Sequence, residues 1–149
     1  MPKLKTARIQ GSIGTAAFWG CTNLEKVTYV NGKGTMEFAC FAECKKLKNI
    51  VIAEGVSAMD KSCFANCKKL KKVTIGTNVN SIGKRTFYGC SKLRTIKVKT
   101  SKLTGSRVGK QAFKGLNKKA VIKVPKKQLK AYKRLFRAKG VGKKVTIKK

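Results

Sequence analysis

Apolar side chains recur along this chain with a period of 23 residues. Each period carries a phenylalanine, a cysteine three residues later and a leucine three residues after that, followed by apolar residues at alternate positions. The phenylalanines of the four good copies are Phe18, Phe41, Phe64 and Phe87. A fixed period of this size is typical of a solenoid, because one unit cannot bury its own apolar face and must stack on a copy of itself. Stacking predicts that these rings form one continuous stripe inside the coils.

The parts of one period predict different local structures. The fourth copy ends with Leu93, Ile96 and Val98. Ile96 and Val98 alternate with polar residues at period two, which predicts a short strand. The preceding segment, residues 82–90, contains two glycines and predicts a turn followed by a tight helical turn. One coil should therefore form a strand, reverse, and return on the opposite side.

The pattern weakens at both ends of the array. A fifth copy follows an insertion of three residues, which places Phe113 later than the period requires. In this copy Leu116 stands at the cysteine position and Lys119 at the leucine position. Residues 1 to 9 read as the strand end of a preceding repeat. We therefore expect an uncapped N-terminal edge, which an upstream segment covers or at which two chains pair.

After Pro125 the apolar period becomes that of a helix, which the proline can start. The apolar residues on one face of this predicted helix are Leu129, Tyr132, Leu135 and Phe136. Val145 and Ile147 then alternate with polar residues and predict a last short strand. The sequence thus divides into a solenoid of about five coils, residues 1–124, and a helix-plus-strand cap, residues 125–149.

Basic residues dominate the charge. Lys and Arg number 37 against five acids, which gives a net charge of +32, and the chain has no histidine. The last acid is Asp60, and 29 basic residues follow it. That half cannot neutralise itself and must attract external anions. Because histidine is missing and the acids occupy scattered repeat positions, we expect no enzyme activity, no catalytic residues and no cofactor.

Stacking should align basic side chains into surface rows at the spacing of neighbouring strands, about 4.8 Å. The candidate anion-binding residues are Lys46, Lys69 and Lys92 in one row, Lys48, Lys71 and Arg94 in a second, and Lys72, Lys97, Lys99 and Lys123 on the strands. One interpretation is a solvated lysine face that only favours solubility. The other is a set of ladders that follows a linear polyanion, whose binding relieves the repulsion between neighbouring charges. The strand face lacks the aromatic side chains that single-strand binders use for base stacking.

Cysteine spacing imitates a four-cysteine zinc site, because Cys40 and Cys44 are followed by the similarly spaced Cys63 and Cys67. Both pairs also arise from two repeat columns, one of which accepts alanine in the first copy. A column that accepts alanine is a small core slot, and buried free cysteine behaves as a small hydrophobe. Core packing is the favoured interpretation, with a disulfide such as Cys40 to Cys63, or a zinc ion, as alternatives.

The pattern IG-x-x-AF-x-GC-x-x-L-x-x-V-x-I resembles the BspA-like leucine-rich repeats of bacterial cell-surface and secreted proteins. It is seen here as IGTAAFWGCTNLEKVTY from Ile13 and IGKRTFYGCSKLRTIKV from Ile82, and the resemblance covers about residues 4–124. The segment KKAVIKVPKKQLKAYKRLF is similar to the tail that closes such arrays. The resemblance implies an α/β fold: a right-handed solenoid with short parallel strands on its concave face and turns and short helical turns on its convex face. It also implies export and adhesion to host or bacterial surfaces, and it assigns no site residue.

Three functions remain open at this stage. The first is a secreted or cell-surface module that binds anionic glycans, teichoic acid or acidic surface proteins. The second is a nucleic-acid binder, since charge alone suffices for non-specific binding at low salt. The third is a passive spacer of a larger surface protein. The start, MPKLKTARIQ, lacks the apolar core of a signal sequence, and no apolar stretch is long enough to span a membrane. We expect an extracellular or cell-surface location, which requires the chain to be a fragment that lacks its signal sequence. The alternative location is the cytoplasm.

Overall fold

A computed structural model describes residues 1–30 and 32–149 of the chain. The strands are β1 (Thr6–Gln10), β2 (Lys26–Val30), β3 (Gly34–Met36), β4 (Asn49–Ile52), β5 (Val56–Met59), β6 (Lys72–Ile75), β7 (Ser81–Ile82), β8 (Thr95–Val98), β9 (Val121–Lys123) and β10 (Thr146–Lys148). A 3-10 turn (Lys126–Gln128) leads into the helix α1 (Leu129–Ala138).

The strands form two parallel sheets. One sheet has seven strands in the order β1-β2-β4-β6-β8-β9-β10, and the other has three in the order β3-β5-β7. Val73 pairs with Ile50 on one side and with Ile96 on the other, so the register follows the 23-residue period. Ile96 pairs in turn with Ile122, so the three inserted residues lie outside the sheet and leave its register unchanged. The predicted α/β solenoid with a helix–strand cap is confirmed.

The phenylalanines form the predicted interior stripe. Ring centroids lie 5.1 to 5.5 Å apart along Phe18, Phe41, Phe64, Phe87 and Phe113, with interplanar angles of 22° or less. Such offset stacking contributes about 0.5–1.5 kcal/mol per pair beyond the burial of apolar area. The stripe therefore runs through the whole array.

Left-handed backbone conformations recur on both sides of each phenylalanine. The residues two positions before it are Ala16, Ala39, Ser62, Arg85 and Gln111, and those two positions after it are Gly20, Glu43, Asn66, Gly89 and Gly115, all with positive φ. This alternation points every second N–H toward the next coil. In the third copy Ser62, Phe64 and Asn66 donate to the carbonyls of Lys84, Thr86 and Tyr88 at 2.8–2.9 Å. Stacked hydrogen bonds thus offset the cost, about 1–2 kcal/mol, of each left-handed residue that carries a Cβ.

All six cysteines are free and buried, so their place is in the core. Cys44, Cys67 and Cys90 each donate from Sγ, at 3.1 Å, to the carbonyl of the phenylalanine in the preceding coil. Burial raises the pKa of Cys44 and Cys90 to about 12, which keeps both thiols protonated and unreactive near neutral pH.

The second cysteine column selects a small hydrogen-bond donor. Cys63 Sγ donates to the carbonyls of Asp60 at 3.0 Å and Glu37 at 3.3 Å. In the next coil Thr86 Oγ1 takes the same place and donates to the carbonyls of Gly83 at 2.7 Å and Asp60 at 3.2 Å. A hydroxyl and a thiol are therefore equivalent in this slot.

The cap closes the last coil through its helix and its strand. Phe136 extends the ring stripe, 5.0 Å from Phe113, and Tyr132 Oη donates to the Thr100 carbonyl at 2.8 Å. The Arg137 guanidinium donates to the carbonyls of Gly142 and Val145, which anchors the loop before β10. β10 then pairs with β9 and adds the seventh strand of the larger sheet.

One detail of the fifth coil differs from the sequence interpretation. Ala120, rather than Lys119, occupies the buried leucine slot, and Lys119 is exposed. Asn117 causes the change, because its Oδ1 accepts a hydrogen bond from the Lys119 N–H at 2.9 Å and reshapes the turn. The turn thus keeps the charge of Lys119 out of the core.

Removal of one ring from the stripe should destabilise the solenoid more when that ring is more deeply buried. Phe87→Ala should lower the free energy of unfolding by about 3–5 kcal/mol, because its fully buried ring lies between two others. Phe18→Ala should cost less than half as much, because that ring is half-buried at the end of the stripe. Urea unfolding with unchanged m-values measures both, and equal losses would contradict a continuous stripe.

Exchange of donors in the second cysteine column should distinguish hydrogen bonding from simple packing. Cys63→Thr should leave the free energy of unfolding nearly unchanged, because Thr86 already makes the same contacts in the next coil. Cys63→Val has a similar volume but no donor, and should cost about 1 kcal/mol more. If both variants unfold at the same urea concentration, the slot selects size alone.

Candidate functional site: a basic repeat surface

Three lysines form a ladder across the last strands of the larger sheet. Lys97 on β8 pairs in register with Lys123 on β9, which pairs in register with Lys148 on β10. All three side chains are exposed on the outer face of the sheet. We call Lys97, Lys123 and Lys148 the strand ladder. The sequence interpretation included the first two and missed Lys148, although its alternation with Ile147 was a usable signal.

A second ladder lies at the turns that precede the strands. Lys71 donates from its backbone N–H to the Lys48 carbonyl at 2.7 Å, and Arg94 donates to the Lys71 carbonyl at 3.1 Å. The backbone therefore stacks Lys48, Lys71 and Arg94 directly on one another, with their side chains exposed. We call these three residues the turn ladder. At its N-terminal end Lys48 Nζ lies 3.8 Å from Glu25 Oε2, so only that end meets an acid.

The other predicted residues have more varied surroundings. Lys46 Nζ donates to Asn23 Oδ1 at 2.7 Å, whereas Lys69 and Lys92 in the same row are exposed. Lys99 Nζ lies 3.4 Å from Glu54 Oε1. The strand partners of Lys72 are Asn49 and Thr95. These lysines do not all form one site, because the row of Lys46 ends on an amide, Lys99 is ion-paired and Lys72 stands outside the strand ladder.

The acids serve as contacts between coils. Glu37 Oε2 accepts from Thr15 N at 2.9 Å, and Glu43 Oε1 accepts from Asn66 Nδ2 at 2.7 Å. Hydrogen bonds from Thr77 hold the pKa of Glu54 below its usual range. All acids precede residue 61, so the strand ladder has no acid from its own coils to neutralise it.

The ladders hold like charges close together. Two unit charges about 4.8 Å apart repel by about 0.9 kcal/mol in water before salt screening. A row of anionic groups beside the ladder would add attractive interactions that offset this repulsion. Among residues 1–30 and 32–149, no three His, Cys, Asp or Glu side chains converge in a way that could hold a metal ion.

The N-terminal part of the same sheet is different. β2 and β4 pair only at Lys26 and Asn49, and a cleft of about 500 Å³ lies between the two strands. Its walls include Tyr29, Ile50 and Val51. The charged residues Glu25, Lys26 and Lys48 also line this cleft, so the N-terminal end of the sheet carries both signs of charge, whereas the strand ladder is basic only. None of the helices in the described part of the chain has the length and apolarity required to cross a bilayer.

Comparison with known proteins places this geometry in a family. The family model for the BspA type leucine rich repeat region matches residues 11–141 in six copies. No curated protein sequence matches the chain. Proteins of this repeat type are typically non-enzymatic scaffolds that bind other proteins, and they are commonly extracellular or surface-associated.

Two solved structures are similar in fold. The leucine-rich repeat protein of T. pallidum superposes with a TM-score of 0.68 at 19% identity, over 88% of this chain and 70% of that one. A leucine-rich repeat protein from Bacteroides ovatus gives 0.51 at 24% identity, over 78% of this chain and 37% of that one. The period, the stacked rings and the six matched copies together show that this chain belongs to the BspA type leucine-rich repeat family.

Proposed function

We propose that this chain is a non-enzymatic binding module of a secreted or cell-surface protein, and that it holds anionic polymers or acidic surface proteins on its basic ladders. The observation that carries the proposal is the in-register strand ladder, three exposed lysines on three consecutive strands beyond the last acid of the sequence. Anionic glycans, teichoic acid and acidic protein segments share the chemistry that such a row recognises, a line of negative charges.

The ladders favour a linear ligand that runs along the stacking axis. Each coil adds one ammonium or guanidinium group per ladder at about 4.8 Å. Because the backbone fixes the spacing of the Cα atoms, only the side chains need ordering when a polyanion binds, which limits the entropy cost of association. The turn ladder precedes β4, β6 and β8, and the strand ladder lies on β8, β9 and β10. Both run along the stacking axis and meet at the coil of β8, so one extended polymer can follow either.

Surface chemistry favours a polyanion without bases over a nucleic acid. Within the described residues, the exposed positions on the strands of the larger sheet carry Thr, Arg, Gln, Lys, Asn and Val side chains, and the aromatic ring on these strands, Tyr29, is only half-exposed in the cleft between β2 and β4, so the sheet offers no row of rings for base stacking. Duplex DNA should still bind at low salt through its phosphates and release counterions. At physiological salt this non-specific binding weakens steeply.

Competition between a sulfated glycan and DNA tests the proposal. With labelled heparin bound at about 0.15 M salt, excess duplex DNA should displace little of it. The triple variant K97Q/K123Q/K148Q should lose about tenfold in affinity for heparin, a change of about 1.4 kcal/mol. The control K126Q/K133Q/K143Q removes the same charge from exposed lysines outside the ladders and should lose about threefold or less.

Each other outcome has a definite meaning. Preferential displacement by DNA would support a nucleic-acid binder. Equal losses in the two triple variants would show that net charge, rather than the ladder, binds the glycan. Absence of any binding at that salt concentration would leave the repeat as a spacer. Thermal unfolding of both variants checks that the exposed substitutions leave the fold intact.

A further inference from the structure

The cap helix presents a second apolar face that the solenoid covers only in part, since Leu135 packs against the core with one side. Tyr132 and Phe136 on one side of α1 are buried against the last coil. On another side a groove of about 680 Å³ runs beside the helix, lined by Gly105 and by the apolar helix residues Ala131, Leu135 and Ala138, which we call the groove floor. Leu135 is half-buried, and both alanines are exposed.

The spacing of the groove floor is that of a helix-packing stripe. Ala131, Leu135 and Ala138 stand at positions i, i+4 and i+7, which lie on one face of an α-helix. Side chains this small let a second helix approach to the short end of the usual 8–10 Å range of interaxial distances. α1 has ten residues and is about 15 Å long, enough to contact nearly three turns of a partner helix.

Basic side chains line the edges of this groove. Lys127, Lys130 and Arg134 lie along one edge of the helix, and Lys139 lies at its end. The chain has no Asp or Glu after Asp60, so its C-terminal segments supply no carboxylate side chain to pair with them. An occupant of opposite charge would form several charge-assisted hydrogen bonds around an apolar centre.

We propose that this groove binds an amphipathic helix of a partner protein that carries apolar residues at i, i+4 and i+7 and acidic residues beside them. The apolar side chains fill the floor between Ala131 and Ala138 against Leu135. The flanking carboxylates reach the ammonium and guanidinium groups at the edges, in the helix-in-groove mode of recognition. This site is separate from the strand and turn ladders.

Two other occupants fit the surface less well. A second copy of this chain offers α1, LKAYKRLFRA, as its helix, and pairing two such helices would bring basic edges together. An anionic bilayer is flat, and the long lysine stems at the edges would meet it before the short alanine side chains of the floor. A rod with acidic edges satisfies both the shape and the charge.

Binding of a designed peptide to the full chain tests the proposal. The probe is a fluorescent helical peptide of about 21 residues, three heptads, with leucine at i, i+4 and i+7 and glutamate at the flanking positions. Its control has the same composition in scrambled order. At about 0.15 M salt the amphipathic peptide should bind at least about tenfold more tightly than the scrambled one, because only it buries the stripe.

Matched variants locate the site. A131Y/A138Y fills the groove at two exposed positions and should abolish the preference for the amphipathic peptide. K127Q/K130Q should weaken binding by about tenfold, and K126Q/K133Q, with the same net charge outside the groove, by about threefold or less. Heparin binding should be unchanged in A131Y/A138Y, which separates this groove from the ladders.

Contrary results are equally clear. Equal binding of scrambled and amphipathic peptides, or equal losses in the two lysine pairs, would show that charge alone attracts the peptide and would overturn the proposal. If A131Y/A138Y blocked binding to anionic phosphatidylglycerol vesicles while leaving peptide binding unchanged, the groove would be a lipid contact instead. Circular dichroism of each variant confirms that α1 is still formed.

Discussion

Hydrogen bonds between one coil and the next, at alternate residues around each phenylalanine, are the constraint on which the rest of the structure depends. Ser62 and Asn66 are the left-handed residues on the two sides of Phe64. Their conformation directs the N–H groups of Ser62, Phe64 and Asn66 toward the next coil. These bonds satisfy the backbone where no regular strand exists, so the side of the coil opposite the larger sheet is as firmly stacked as the sheet itself. A coil without a neighbour would keep the cost of its left-handed residues and lose the bonds that offset it.

Stacking of this kind aligns residues that are one period apart in the sequence into rows on the structure. Since Val73 pairs with Ile50 and Ile96 without a slip, any side chain repeated at one position of the period must line up on the surface. The interior rows of phenylalanine and cysteine and the exterior rows of lysine therefore have a single cause. The protein tolerates rows of like charge because each repulsion is about 1 kcal/mol or less in water, whereas each coil buries several apolar side chains at about 1.5–3 kcal/mol each.

Sequence reasoning was sufficient where the period carried the information. The repeat predicted the ring stripe, the strands and the alignment of Lys71 with Arg94, because each depends only on which residues are 23 positions apart. It did not predict that Phe136 extends the stripe, since that ring belongs to the helix and reaches Phe113 only through tertiary packing. The left-handed column before each phenylalanine was missed for a related reason: alanine, serine and arginine give no local signal for positive φ, which the neighbouring coil imposes. The column after the phenylalanine carries glycine or asparagine in four of its five copies, which was a usable signal. Ala120 replaced Lys119 in the core because a side-chain hydrogen bond reshaped one turn.

The distribution of acids explains why the cap is built as it is. In the first coils Glu25, Glu43 and Glu54 lie beside lysines, so repulsion along the basic rows is partly compensated there. Beyond Asp60 no carboxylate side chain is available, and the repulsion within the strand ladder is opposed only by backbone pairing and apolar burial. The cap supplies both at that end, since β10 pairs with β9 and Phe136 covers the last ring of the coils. Arg137 also stabilises the cap. Its guanidinium donates to main-chain carbonyls, which a chain segment without carboxylate side chains can still offer as acceptors. A strongly basic end of the solenoid is therefore compatible with a stable fold, and its unneutralised charge remains free for an external anion.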